Sequence, residues 1–249
     1  MEVNIKIPKY LTTKHYQQLD KVYSLDSNLQ TLHTISAVLD VDLSIVKRLP
    51  IGDVVNLWKE IEGLLDEASK PEFYPILEFE GITYGFTPMT KMSLAEYIDI
   101  DNLVKDRVAN LPQLLSIMYR PIKSHKIKDM KFRFKSAVKL IFTKDKVEHL
   151  MDYYEVEEYD NVKRKEQAKT FEAFPISVGL GGLSFFLGVA NLSLADSLTS
   201  SLPENSKTKA KMKEKMILAS KSIMGGFTRY MSWEKLPSFK SGERATFSL

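Results

Sequence analysis

The sequence predicts a mainly α protein with a small β component (α+β), arranged as a helical bundle with an inserted β-hairpin. Three observations predict this class. Apolar residues recur at steps of three and four in several stretches of the chain, as on the buried face of a helix. One central stretch is apolar and β-branched around a Glu-Gly pair, which is typical of a hairpin. Residues 173–195 contain no charged side chain, which indicates an internal helix.

Composition sets the broad class. The chain has 249 residues, of which 44% are hydrophobic and 27% charged, as in ordinary soluble globular proteins with a real core. Since there is no cysteine, a disulfide scaffold, a thiolate metal site and a cysteine nucleophile are excluded. The net charge of +3 argues neither for nor against a nucleic-acid partner. The first ten residues lack the apolar core of a signal peptide.

Residues 1–70 are predicted to form an N-terminal strand followed by a helical bundle. Val3, Ile5 and Ile7 alternate with polar residues, and Pro8 should end that strand. Helices are predicted over 14–23, capped by Thr12 or Thr13, over 29–39, capped by Asp26 or Ser27, over 43–49, and over 52–68.

Residues 71–122 are predicted to form the β-hairpin and short helices. The hairpin should cover 76–86 and turn at Glu80-Gly81, where glycine tolerates a positive φ. Ser93-x-x-Glu96 predicts a capping box at the start of the next helix. A short apolar helix is expected over 111–119, ended by Arg120-Pro121.

Residues 123–249 are predicted to be a charged helical region, an apolar helix and a basic C-terminal segment, although all three parts could equally form one continuous domain. A basic run over 123–135 precedes an acidic run over 152–160. Such runs are usually solvated faces. Nucleic-acid binding through 123–135 and 207–215 is the less favoured alternative. The observation in its support is that Phe132 and Phe134 lie between basic residues, as in a strand on which bases stack.

The uncharged stretch 173–195 is long enough to cross a bilayer, and basic residues over 163–169 precede it. Its glycine, serine and asparagine content argues against a helix that faces lipid on all sides. Small residues at steps of three and four form one stripe, which would let another backbone come close. We therefore predict a buried or partner-facing helix and treat membrane association as the alternative. The candidate interface residues are Gly181, Ser184, Phe185, Gly188, Asn191, Leu192 and Ala195.

A search for chemistry finds no catalytic pattern. The four histidines (His15, His33, His125 and His149) have no ligand spacing. Gly179-x-Gly181-Gly182 lacks the lysine that follows a phosphate-binding loop. The carboxylates form no evident acid–base pair. The sequence therefore predicts a protein that is not an enzyme and that carries no cofactor and no metal.

Three segments carry a family resemblance. They are FEGITYGF (Phe79–Phe86), MSLAEYIDID (Met92–Asp101) and NLPQLLSIMYRPI (Asn110–Ile122), and Phe185-Phe186-Leu187 extends the likeness. In their order, these segments resemble those of tail or baseplate (hub) assembly proteins and minor structural proteins of large tailed bacteriophages. The length of the chain is also similar to that of the hub assembly proteins. The layout is similar over roughly residues 1–200, and the motif content lies in 79–122.

The resemblance implies a protein that works by binding and not by catalysis. It implies that the partners are other phage tail or baseplate proteins, or a second copy of the same chain. It places the protein in the host cytoplasm during assembly or in the virion. It maps no functional residues, because the similar motifs are structural.

Overall fold

The structure, a computed structural model, describes residues 4–24, 29–125, 154–200 and 238–248. Within these ranges the helices are α1 (Thr13–Tyr23), α2 (Gln30–Leu39), α3 (Leu43–Val46), α4 (Ile51–Ala68), α5 (Leu94–Val104), α6 (Leu111–Met118), α7 (Asn161–Phe171) and α8 (Ile176–Ser200). The strands are β1 (Asn4–Pro8), β2 (Ile76–Phe79), β3 (Ile82–Phe86), β4 (Tyr119–His125), β5 (Tyr154–Val156), β6 (Ser238–Phe239) and β7 (Glu243–Ser248). The mainly α architecture with a small β component that the sequence predicts is confirmed.

The described strands form two sheets. The larger has the order β5-β4-β3-β2-β6, in which neighbours are antiparallel except for the parallel pair β2 and β6. The smaller pairs β1 with β7, so the two ends of the described chain lie side by side. Ile5 and Ile7 of β1 are fully buried, as their alternation with polar residues predicts.

The hairpin of β2 and β3 turns where the sequence predicts. Glu80 and Gly81 both have positive φ, 49° and 80°. Positive φ at both central residues is the type I′ geometry, whose twist matches that of the flanking strands. Phe79 accordingly pairs with Ile82 across this two-residue turn.

The N-terminus of α1 meets the turn between α7 and α8. The backbone N–H of Thr13 donates to the carbonyl of Phe174, and that of Lys14 donates to the carbonyl of Glu172, both at 3.0 Å. A helix cannot satisfy its first N–H groups or its last carbonyls internally. Since α1 offers the donors and the end of α7 the acceptors, this contact satisfies both and fixes α8 beside α1.

One buried cluster in the described part of the chain draws side chains from all three predicted segments, from Ile5 to Phe186. Aromatic rings form its centre. Phe79, Phe171 and Phe174 contact one another with ring centroids 4.9–6.3 Å apart. These contacts pack α7, the turn that precedes α8 and the sheet against one another.

Several predicted boundaries need correction. The short helix over 111–119 ends at Met118, and Tyr119–His125 continues as β4 and pairs with both β3 and β5. The helix over 43–49 is only Leu43–Val46. Leu29, and not Asp26 or Ser27, precedes α2, and those two residues lie outside the described ranges. The uncharged helix begins at Ile176, after Pro175, and extends to Ser200.

Some sequence predictions concern residues that the structure does not describe. Most of the basic segment 123–135, with Phe132 and Phe134, lies there, as does the whole of 207–215. Nucleic-acid binding through them stays a prediction. None of the helices that the structure describes is both long and apolar enough to cross a membrane.

Candidate partner-binding site

The glycines of α8 allow close packing within the chain itself. A Cβ added to Gly181 would lie 2.2 Å from the backbone carbonyl oxygen of Glu72, which is far inside contact distance. The same segment is tied to the helix because the Glu72 N–H donates to the carbonyl of Ser177 at 3.0 Å. At Gly182 an added Cβ would meet the ring of Tyr119 at 2.7 Å. The close backbone approach expected of a small-residue stripe thus occurs at Gly181, and its partner is intramolecular.

The other candidate interface residues divide by position. Phe185 is buried and stacks on Phe73, with ring centroids 4.0 Å apart and planes at 9°. Gly188 is also buried, whereas Ser184 is half-buried and lines an open groove. Asn191, Leu192 and Ala195 belong to α8, but their side chains lie outside what the structure describes. Among the described candidates, Gly181, Phe185 and Gly188 are thus covered by the chain, and Ser184 is partly open to solvent.

The groove beside Ser184 lies between α8, α1, α6 and the loop that precedes α6. Its volume is about 250 Å³. The residues that line it are Tyr16, Arg107, Leu111, Leu180, Leu183, Ser184 and Leu187. Of its leucines, Leu111 and Leu183 are almost fully buried, while Leu180 and Leu187 are half-buried. The groove is therefore lined by four leucines together with the polar groups of Tyr16, Arg107 and Ser184.

Arg107 gives the groove a positive mouth. The residue is exposed, and within the described ranges no carboxylate lies within 4 Å of its guanidinium. The loop that carries it is held to α1, because the amide nitrogen of Gln17 donates to the carbonyls of Val108 and Ala109 at 3.2 and 2.7 Å. Arg107 is thus a cation on an anchored loop.

A second exposed apolar surface lies on α5. Leu94, Tyr97 and Ile98 are 74%, 44% and 49% exposed. Their spacing of three and four residues places them on one face of the helix. The predicted capping box is present, with the Ser93 side chain accepting from the N–H of Glu96 and the Glu96 side chain accepting from the N–H of Ser93. The apolar face is therefore presented on a helix with a well-defined start.

A buried ion pair fixes α5 against the sheet. Glu96 Oε1 lies 3.0 Å from Arg120 Nη2, and both side chains are more than nine-tenths buried. The two atoms are close without being aligned as a hydrogen bond. Arg120 also donates to Thr87 Oγ1 and to the carbonyl of Glu157, each at 3.1 Å. Burial lowers the pKa of the Arg120 guanidinium, and the adjacent Glu96 carboxylate opposes that shift.

The phenol of Tyr159 provides a second tie to α5, because it donates to the Asp99 carboxylate. Burial, and then this hydrogen bond, raises the pKa of Tyr159 to about 12. Neither this pair nor the Arg120 network lines the groove. Both are best explained as groups that hold α5 in place.

His15 has a structural role at the start of α1. Its Nδ1 accepts the backbone N–H of Thr12 at 3.0 Å, while the Thr12 side chain accepts the backbone N–H of His15. Burial, and then the charge of the neighbouring Lys14, lowers the pKa of His15 to about 4, while Asp40 opposes the shift. Nowhere in the described ranges do three or more His, Asp or Glu side chains group closely enough to hold a metal ion.

Sequence reasoning missed part of the groove. The leucines of α8 carry a recognisable helical spacing, but nothing in the local sequence marks Arg107 as a lining residue, because Tyr16, Arg107 and Leu183 come together only in the folded chain. Comparison with protein-family models, curated proteins and solved structures gives no match.

Proposed function

We propose that this protein acts by binding partner proteins and not by catalysis, as an assembly factor or minor structural component of the tail or baseplate of a tailed bacteriophage. The observation that carries the binding role is the exposed apolar face of Leu94, Tyr97 and Ile98. Exposed apolar side chains that lie together on one surface are characteristic of protein interfaces. The phage assignment rests on the resemblance of residues 79–122, a region that includes all of α5.

The proposed partners are other tail or baseplate subunits, and a second copy of this chain is an outcome that the same experiment would reveal. Assembly would place the protein in the host cytoplasm, and incorporation would place it in the virion. A rigid helix suits this role, because an interface that is ordered before binding avoids the entropy cost of ordering it during binding. The capping box and the buried contact of Glu96 with Arg120 supply that rigidity.

The test is co-expression of the full chain with the tail and baseplate proteins encoded beside it, followed by size-exclusion chromatography with light scattering. The critical variant is the double substitution Leu94→Gln and Ile98→Gln. Truncating a central apolar anchor weakens an interface by roughly 1–2 kcal/mol or more. The double variant should therefore weaken the complex by at least about tenfold.

The chain offers a closely matched control. Ile51 and Val55 on α4 are exposed to a similar degree, 79% and 46%, and have the same four-residue spacing. Replacing both with glutamine should leave the complex unchanged. The proposal is wrong if the chain forms no complex with any tail or baseplate protein, or if the α5 and α4 variants behave alike.

A further inference from the structure

The groove beside Ser184 has the size of a receptor for one side chain. An apolar cavity of roughly 150 Å³ is enough to hold a benzene ring. Sites for drug-sized molecules commonly measure roughly 300–1,000 Å³. At about 250 Å³ the groove lies between these values. It can therefore enclose one large apolar side chain and the atoms next to it, but it is small for a cofactor or metabolite.

The charge at the groove selects the chemistry of the occupant. Arg107 lies at the mouth, exposed, with no carboxylate of the described ranges at ion-pair distance. Arginine is enriched in the energetically important parts of protein interfaces, where its planar group can bind a carboxylate through two hydrogen bonds. Ser184 adds a hydroxyl to the same lining. An anionic group beside an apolar one would match both features.

We propose that this groove binds a segment of a partner protein in which a large apolar side chain stands next to a carboxylate. The apolar side chain enters between Leu180, Leu183 and Leu187, and the carboxylate pairs with Arg107. The carboxylate is that of an Asp or Glu beside the anchor, or the C-terminal carboxylate of the partner. The inference rests on the proposed function in one respect, namely that the occupant belongs to a protein.

Three small probes of one shape test this chemistry on the full chain. They are 3-phenylpropionate, the neutral 3-phenylpropanamide and the cationic 3-phenylpropylamine, with binding followed by ligand-observed NMR. Small ligands gain about 0.3 kcal/mol or more per non-hydrogen atom, so dissociation constants in the millimolar range are expected. The anion should bind up to about fivefold more tightly than the neutral probe, which is the range of an exposed ion pair. The cation should bind most weakly.

Two substitutions locate the binding. Arg107→Gln should remove the preference for the anion while leaving the neutral probe unchanged. Ser184→Leu should block all three probes by filling the groove. Lys105→Gln is the matched control, since it removes the same charge from an exposed residue of the same loop that does not line the groove. Because Arg107 is exposed, its substitution should leave the fold intact, so the test does not depend on Ser184→Leu.

The proposal is overturned if no probe binds at millimolar concentration, or if Arg107→Gln and Lys105→Gln have the same effect. The co-expression experiment separates this failure from failure of the proposed function. If a tail protein binds wild type and Arg107→Gln equally well, the groove is not its site although the binding function holds. If the probes bind in the expected order but no tail or baseplate protein does, the groove chemistry holds and the phage assignment fails.

Discussion

Gly181→Ala is the most direct test of how α8 is packed. The added methyl group would lie 2.2 Å from the carbonyl oxygen of Glu72 and 2.4 Å from its carbonyl carbon. Carbon and oxygen atoms in close contact are normally about 3.3 Å apart. The helix and the segment at Glu72 would therefore have to separate by about 1 Å, because a backbone carbonyl cannot rotate away as a long side chain can.

The same displacement would break a hydrogen bond. The Glu72 N–H lies 3.0 Å from the carbonyl oxygen of Ser177, and a shift of about 1 Å takes it beyond hydrogen-bonding distance. Overpacking costs about 1–3 kcal/mol, and an unsatisfied buried group costs about 1–3 kcal/mol. Replacing glycine with alanine within a helix returns about 1 kcal/mol. The net loss in the free energy of unfolding should be about 1–5 kcal/mol.

Thermal unfolding measured by circular dichroism provides the assay. In a chain of this size, each kcal/mol shifts Tm by about 2–4 °C, so Gly181→Ala should lower Tm by roughly 2–20 °C. Gly63→Ala is the control, because Gly63 lies within α4 with no atom within 4 Å of an added Cβ. That variant should raise Tm by about 2–4 °C. If both variants raise Tm equally, α8 does not pack on Glu72.

Three further predictions concern buried polar groups. Glu96→Gln keeps a side chain that can complete the capping box but leaves the Arg120 charge buried and unpaired. Urea unfolding should therefore show a loss of about 3–5 kcal/mol in the free energy of unfolding, and adding Arg120→Met should recover part of that loss. Tyr154→Phe removes the hydrogen bond to the carbonyl of Phe86 and should cost about 1 kcal/mol by the same assay. Burial lowers the pKa of His15 from 6.5 to about 4, so between these two pH values the unfolded chain binds a proton at this residue and the folded chain does not. The free energy of unfolding of the wild type should therefore fall as the pH drops from 6.5 to about 4. Urea unfolding of His15→Gln should lack that part of the pH dependence, and an identical dependence in both proteins would contradict the pKa of His15.

Local signals in the sequence predict local structure well. Ser93-x-x-Glu96 predicts a capping box, and that box is present because both of its hydrogen bonds join residues three apart. Glu80-Gly81 predicts the hairpin turn for the same reason, since the backbone preference of glycine acts at the turn itself. In both cases the energy that decides the structure comes from neighbouring residues.

The features that the sequence does not predict depend on distant residues. β4 follows α6 directly, and neither Met118 nor Tyr119 is a glycine or another residue that commonly ends a helix. The proline of β4, at position 121, argues against a strand. β7 becomes a strand by pairing with β1, which lies at the opposite end of the chain. Such pairing leaves no periodic pattern that a short window can detect. The groove is of the same kind, because α1, α6 and α8 each contribute only part of its wall.

The small-residue stripe on α8 has two neighbouring edges with different surroundings. Successive residues of a helix are about 100° apart, so Phe185 and Gly188 lie within about 40° of Gly181 around the axis. That edge is covered by Glu72 and Phe73. Ser184 lies about 60° to one side, toward Leu180 and Leu187, where the groove opens. Substitutions at the glycines should therefore change stability first, whereas substitutions at Arg107 or Ser184 can change binding while the fold is retained.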